Sequence, residues 1–181
     1  MQKFFLEEST NPNRKTKYDL VSVYKGSRLI NMDSQAPNKV FYEYLSTGDL
    51  FEKINLIKPE YKYKSSRIDF YAEINNQKYL FEVKGVTLEE NNIVMFPDAP
   101  TERGVKHIKE LISSKQDDYI PYIVFVIQMS DVSYFTPNTK THEEFAQILR
   151  EAEKAGVNIL ALDCIVTKDT LDINKNVKII L

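Results

Sequence analysis

Hydrophobic positions in this chain follow two different periods. Over Ser66–Ile74 and Lys78–Val86 every second residue is apolar, which predicts two β-strands. Asn75-Asn76 lies between them, and asparagine tolerates the positive φ that a two-residue hairpin turn needs. Other segments repeat their apolar residues every three to four positions, as amphipathic helices do. The alternation of the two periods predicts an α/β fold with a mixed central sheet flanked by helices.

The same two periods, together with turn and cap residues, predict the other helices and strands. Helices are predicted between Pro37-Asn38 and Gly48, over Glu102–Ser113 and over His142–Ala155. Strands are predicted at Tyr18–Tyr24, Arg28–Asp33, Ile93–Phe96, Ile120–Met129 and Val157–Val166. The last two strands, with the helix between them, form the strand–helix–strand unit from which parallel sheets are built.

The predicted hairpin brings two acids together. If Asn75 and Asn76 form the loop, antiparallel counting places Asp69 opposite Glu82 and Arg67 opposite Lys84, so that both acids share one face. The other face is expected to pack on the core and carries Ile68, Phe70, Ala72, Ile74, Tyr79, Phe81 and Val83.

Two opposed carboxylates repel each other unless a cation compensates them. Mg²⁺ or Mn²⁺ is the expected compensation, held by Asp69, Glu82 and the Val83 carbonyl with positions left open for a phosphodiester. Lys84 would orient the attacking water or neutralise charge developing on phosphorus. The alternative is a solvated strand face on which Glu82 pairs with Lys84 or Arg67 and nothing binds. Spacing alone favours neither interpretation.

Composition excludes several classes of protein. The 181 residues are 43% hydrophobic and 28% charged, which suits one compact domain with a core. No apolar stretch approaches the roughly 20 residues of a membrane span and the N-terminus lacks a secretion signal, so a cytoplasmic protein without membrane contact is predicted. The single cysteine, Cys164, excludes an internal disulfide and a cysteine metal site and is expected to be buried. The net charge of −2 means that any nucleic-acid binding must come from a local basic patch.

Two local basic patches are available. Arg103 and His107 are four residues apart on one side of a predicted helix, where they could hold a phosphate beside the acids. Arg14, Lys15 and Lys17 form a basic segment near the N-terminus. The alternative for both patches is an ordinary solvated surface.

Several segments together resemble the sugar fermentation stimulation protein family. They are Ser65–Phe70, Phe81–Leu88 and Phe96–Leu111, supported by Asn11–Tyr18 and Asn31–Asn38, so that the resemblance extends over nearly the whole chain.

The resemblance implies a PD-(D/E)xK, restriction-endonuclease-like core in a family described as DNA-binding and linked to the regulation of sugar (maltose) metabolism. In that pattern Asp69 matches the first acid, Glu82 the second and Lys84 the lysine. Glu43, on the preceding helix, is the candidate for an additional acid. The expected nucleic-acid contacts are Arg67, Arg103, Lys106, His107, Arg14, Lys15 and Lys17.

The family also sets an expectation for domain organisation. Its members begin with an OB-like barrel, so residues 1–24 are expected to be a remnant of that domain with its connecting strand, and residues 25–181 the nuclease-like α/β domain. The few strands in residues 1–24 cannot close a barrel. Their unpaired edges are therefore expected to pair with something else, including a second copy of the chain in a homodimer.

Three functions are consistent with the sequence. The favoured one is a DNA-binding protein on a nuclease-like scaffold. The second is an active divalent-metal-dependent DNA or RNA phosphodiesterase, and the third is a structural or protein-interaction domain with a vestigial site. An intact set of Asp, Glu and Lys argues against the third but does not separate the first two.

Overall fold

The computed structural model of the chain describes residues 3–9 and 15–181. The helices are α1 (Ala36–Thr47), α2 (Glu102–Ser114) and α3 (Glu143–Lys154). The strands are β1 (Phe4–Glu8), β2 (Tyr18–Lys25), β3 (Arg28–Asn31), β4 (Ile54–Tyr63), β5 (Ser66–Ile74), β6 (Gln77–Val86), β7 (Leu88–Glu90), β8 (Ile93–Phe96), β9 (Tyr119–Ile127), β10 (Tyr134–Pro137), β11 (Asn158–Val166) and β12 (Leu171–Asn176). No helix in this described part is long and apolar enough to cross a membrane.

A six-stranded mixed sheet forms the centre of the fold, in the order β12-β11-β9-β6-β5-β4. Strands β6, β9 and β11 run parallel. Strand β5 pairs antiparallel with β6, β4 antiparallel with β5, and β12 antiparallel with β11. Central strand β9 is almost continuously apolar because helices cover both faces of the sheet there. The predicted α/β fold with a mixed central sheet is therefore confirmed.

The β5–β6 hairpin has the predicted turn and register. Asn75 and Asn76 have φ values of 51° and 64°, the conformation that this two-residue turn requires. Pairing extends from Ile74–Gln77 to Phe70–Phe81 and stops one pair short of Asp69 and Glu82. The two strands therefore separate at the acids.

Each face of the central sheet has its own hydrophobic cluster. The α1 side contains Phe41 and Leu45 packed on Phe70, Phe81 and the other predicted core residues of the hairpin except Ile68. The α2 and α3 side contains their buried stripes, with Ile108, Leu111, Phe145 and Leu149.

Ile68 lies on the opposite face from the predicted one. It packs with Tyr71 and Leu80, whereas Phe70, two residues further on, packs with α1. The neighbouring strand β4 is irregular at this point, because Glu60 has a φ of 54° that non-glycine residues rarely adopt. The alternation of side chains between the two faces of β5 is thus broken at Asp69, between Ile68 and Phe70.

The first three strands form a separate sheet in the order β1-β2-β3. The Asn31 amide donates to the Gln128 carbonyl (2.9 Å) and attaches this sheet to the end of β9. The proposed division at residues 24 and 25 and the homodimer stay predictions. Part of this sheet is apolar and exposed, at Phe4, Leu6, Tyr18 and Leu20.

Candidate functional site

Asp69 lies where β5 and β6 separate, at the edge of α1. Its Oδ2 accepts the Val83 backbone N–H (2.7 Å), so that a carboxylate replaces a backbone carbonyl of β5 as the partner of β6. Its Oδ1 accepts from Nδ2 of Asn38 in the first turn of α1 (2.9 Å). Asn38 is a site residue that the sequence did not indicate, because its contact depends on how α1 crosses the sheet.

Glu82 is buried, with only 1% of its surface exposed. Its Oε1 accepts from Lys84 Nζ (2.6 Å) and from His107 Nδ1 (2.5 Å). Its Oε2 is buried and has no hydrogen-bond partner among the described residues. Because an unsatisfied buried carboxylate oxygen is costly, this atom is the natural position for a further cation or donor.

The two carboxylates have opposite electrostatic environments. Burial raises the pKa of Asp69, and the negative charge of Glu82 raises it further. Burial also acts to raise the pKa of Glu82, but the His107 hydrogen bond and the positive charge of Lys84 outweigh it and lower that pKa. Glu82 therefore stays ionised, and Asp69 experiences the repulsion between the two acids.

His107 supports Glu82 from α2. Its Nε2 accepts from Nε of Arg103 (3.5 Å), so one neutral tautomer with the proton on Nδ1 satisfies both contacts. The alternative of a solvated helix face is wrong at this position, since His107 is only 4% exposed. A signal was present in the sequence: Gly104, His107 and Leu111 follow the spacing of a buried helical stripe, and all three are buried.

A basic cleft of about 490 Å³ opens on the α2 side of the site. It contains four of the predicted nucleic-acid contacts, with exposed Arg67, Arg103 and Lys106 around it and buried His107 at its lining. The basic cleft is therefore joined to Glu82 through His107.

A second cavity of about 410 Å³, here called the Tyr42 cavity, opens on the α1 side of Asp69. Glu43 lines it together with Asp69, so the predicted helix acid faces the same cavity as the first acid of the pair. Tyr42, which the sequence did not indicate, is 42% exposed in the same cavity.

The N-terminal basic segment lies elsewhere. Lys17 pairs with Glu8 across the first sheet (3.1 Å), and neither Lys15 nor Lys17 lines the basic cleft or the Tyr42 cavity. Arg14 lies outside the described residues.

The residues that could hold a metal are Asp69, Glu82 and the Val83 carbonyl, with Glu43 nearby. No set of three or more His, Cys, Asp or Glu side chains within residues 3–9 and 15–181 is placed to hold one ion. Mg²⁺ needs only one or two carboxylates when water and phosphate oxygens complete its shell. In a strand the N–H and C=O of one residue point to the same neighbour, so the Val83 carbonyl faces Asp69 as its amide does. The donor set and the unpartnered Glu82 oxygen fit a hard divalent cation.

The fold and the site together define a mixed α/β domain with a carboxylate pair and a lysine at the divergence of two central strands. The family model described as "Sugar fermentation stimulation protein RE domain" matches residues 35–170. The chain therefore belongs to the sugar fermentation stimulation protein family, as its motifs indicated.

Individual relatives agree with this assignment. A sugar fermentation stimulation protein homolog of Ruminiclostridium cellulolyticum is 59% identical over 97% of this chain and 77% of that protein. A homolog of Clostridium beijerinckii is 54% identical over 98% of this chain and 78% of that protein. The structure of Pyrococcus furiosus SfsA in complex with Ca²⁺ superimposes with a TM-score of 0.89 at 28% identity, covering 98% of this chain and 78% of the other.

Proposed function

We propose that this chain binds DNA phosphates in the basic cleft, beside a divalent-cation site formed by Asp69 and Glu82. The observation that carries the proposal is the position of His107, which lines the basic cleft and donates to Glu82. A phosphate held by the basic cleft therefore lies next to the carboxylate pair. The regulatory link to sugar (maltose) metabolism stays a prediction of the family resemblance.

The cation side of the proposal rests on charge balance. Asp69 and Glu82 raise each other's energy when both are ionised, and one oxygen of Glu82 has no partner. A bound divalent cation would supply the missing positive charge and polarise a phosphate oxygen. Pyrococcus furiosus SfsA, which shares this fold, was solved in complex with Ca²⁺, and this supports a divalent site in the family.

The residues around the acids have separable roles in this proposal. Asn38 and the Val83 amide orient Asp69, while His107 and Lys84 keep Glu82 ionised. Arg67, Arg103 and Lys106 supply the positive charge that attracts the phosphates.

A binding assay with a matched control tests the proposal. Fluorescence anisotropy with a labelled DNA duplex and a labelled single strand would compare Lys106→Ala with Lys175→Ala, an exposed lysine on edge strand β12 at the far side of the sheet. Lys106→Ala should weaken binding and reduce the slope of log affinity against log salt by about one, because one phosphate contact is lost. Lys175→Ala should change neither. Equal effects of the two variants, or no binding by the wild-type chain, would contradict the proposal.

A second candidate function is metal-dependent phosphodiester cleavage. Lys84 favours it, because its Nζ is only 2.6 Å from Glu82 and its side chain is 17% exposed, so it is fixed beside the carboxylates. Incubation of DNA and RNA substrates with Mg²⁺ or Mn²⁺ should then give products that Asp69→Ala and Glu82→Ala abolish. If no substrate yields a metal-dependent product, the site binds without cutting.

A further inference from the structure

We propose that the Tyr42 cavity takes an unpaired nucleobase whose neighbouring phosphate lies at Asp69. This inference rests on the proposed function, since it assigns the class of nucleic acid that the same site recognises. The expected partner is a single strand, an overhang or a loop rather than an intact duplex.

The aromatic geometry of the cavity supports a stacking site. The Tyr42 ring is 42% exposed, while Phe70 beneath it is 3% exposed. The two rings stack with their centroids 6.0 Å apart and an interplanar angle of 30°. Phe41 packs against the same Phe70 ring, so the exposed tyrosine has a fixed aromatic support. An exposed, supported ring is what proteins use to stack an unpaired base.

The position of Tyr42 relates the cavity to the acids. Tyr42 lies four residues after Asn38 on α1, which is slightly more than one helical turn or roughly 6 Å along its axis. Asn38 donates to Asp69, and Asp69 itself lines the cavity. A base on Tyr42 is therefore adjacent to a phosphate at the carboxylate pair.

The charge of the cavity favours a base over a second phosphate. Glu43, Glu60 and Asp69 surround it, with Lys39 as the basic residue of the lining. Away from the proposed cation at Asp69, the carboxylates of Glu43 and Glu60 repel phosphate but can accept hydrogen bonds from the exocyclic amino groups of a base. The basic cleft on the other side of Asp69 has the opposite character, so the two cavities suit the base and the phosphate backbone respectively.

The edge strand forms one side of the cavity. Strand β4 ends the sheet, and its residues Pro59 and Glu60 form one wall of the cavity. Glu60 has a φ of 54° and pairs with Arg67 of the basic cleft (3.1 Å). A single-stranded nucleic acid could therefore pass from Arg67 across Asp69 to Tyr42. A base inside a duplex is stacked on both faces and cannot reach Tyr42.

The test is fluorescence anisotropy in Ca²⁺ with a labelled single-stranded oligonucleotide and a blunt duplex of the same length. Tyr42→Ala should weaken single-strand binding about 5- to 150-fold, the range expected for one lost base–aromatic stack. Tyr42→Phe should bind like the wild type, because it keeps the ring. Tyr18→Ala is the control, since Tyr18 is similarly exposed at 49% but lies in the first sheet.

Two comparisons decide the outcome. Duplex affinity should be unchanged in Tyr42→Ala, and the wild type should lose the same affinity when the single strand is made abasic. An unchanged single-strand affinity, or an equal loss on the duplex, overturns the inference. If Lys106→Ala still weakens binding in that case, the proposed function stands without the stacking site. If the wild-type chain binds neither nucleic acid, both fail.

Discussion

The substitution Glu82→Gln isolates the charge on which the candidate site depends. Glutamine has nearly the same shape as glutamate but carries no charge, so Lys84 and His107 each lose a charge-assisted hydrogen bond. Such bonds contribute about 1.5–3 kcal/mol each to stability. Relief of the repulsion with Asp69 offsets part of that loss. We expect the free energy of unfolding to fall by about 1–3 kcal/mol, which lowers Tm by about 2–12 °C in a chain of this length.

The decisive effect is on the response to cations. A ligand present at 100 times its Kd stabilises a protein by about 2.7 kcal/mol, which raises Tm by about 5–11 °C here. Thermal scans with and without Ca²⁺ should show this rise in the wild-type chain and not in Glu82→Gln. The substitution removes the negative charge and the unpartnered oxygen that would attract the ion.

Glu89→Gln is the matched control. Glu89 is also buried and also forms ion pairs with two basic side chains, with Lys25 Nζ at 2.6 Å and an Arg28 nitrogen at 3.2 Å. The substitution should lower Tm by a similar amount, but it should leave the Ca²⁺-induced rise intact because Glu89 is not part of the site. Loss of the rise in Glu89→Gln, or its persistence in Glu82→Gln, would refute the reasoning.

Three further predictions concern Lys84, Asp69 and Gly85. Lys84→Ala should keep the Ca²⁺-induced rise in Tm, because it removes a positively charged side chain and no ligand of the metal ion. Thermal scans with and without Ca²⁺ check this. Ca²⁺ affinity, measured by titration calorimetry, should weaken as pH falls, and the weakening should begin above the pH at which a carboxyl at the ordinary pKa of 3.8 protonates, because burial and the charge of Glu82 raise the pKa of Asp69. Unaltered affinity would contradict that pKa. Gly85→Ala should lower the free energy of unfolding by about 1–3 kcal/mol in urea denaturation, because its Cβ would lie 2.6 Å from Gln128 Oε1 and 2.7 Å from Pro37 Cγ.

In the cation-free protein, the contributions of Asp69 and Glu82 to folding stability depend on pH in opposite ways. Because the pKa of Asp69 is raised on folding, its contribution to stability falls as pH rises from 3.8 through the folded pKa. The pKa of Glu82 is lowered instead, so its contribution is present above 4.5 and is lost as pH falls through the folded pKa. A cation bound between them should remove the Asp69 penalty at neutral pH.

Local patterns were sufficient for most of the elements. The Asn75-Asn76 turn fixed the β5–β6 register, and Gly48, with a φ of 84°, ended α1 where expected. Strand β4 was missed because Pro59 and the left-handed Glu60 interrupt its alternation, and the short β7 and β10 have too few residues to show a period. These strands depend on their neighbours for pairing rather than on their own pattern.

The sequence by itself determined the family and the mixed α/β fold, and it predicted the acids and lysine of the site, because turn residues, periodicity and motif spacing are local properties of the chain. Only the tertiary structure placed His107 against Glu82, Asn38 against Asp69 and Tyr42 in one cavity with Asp69. The two hydrogen bonds join residues 25 and 31 positions apart in the sequence. They form because α1 and α2 cross the sheet at these points. Burial and charge compensation depend on that crossing, so the electrostatics of the site could not be read from spacing.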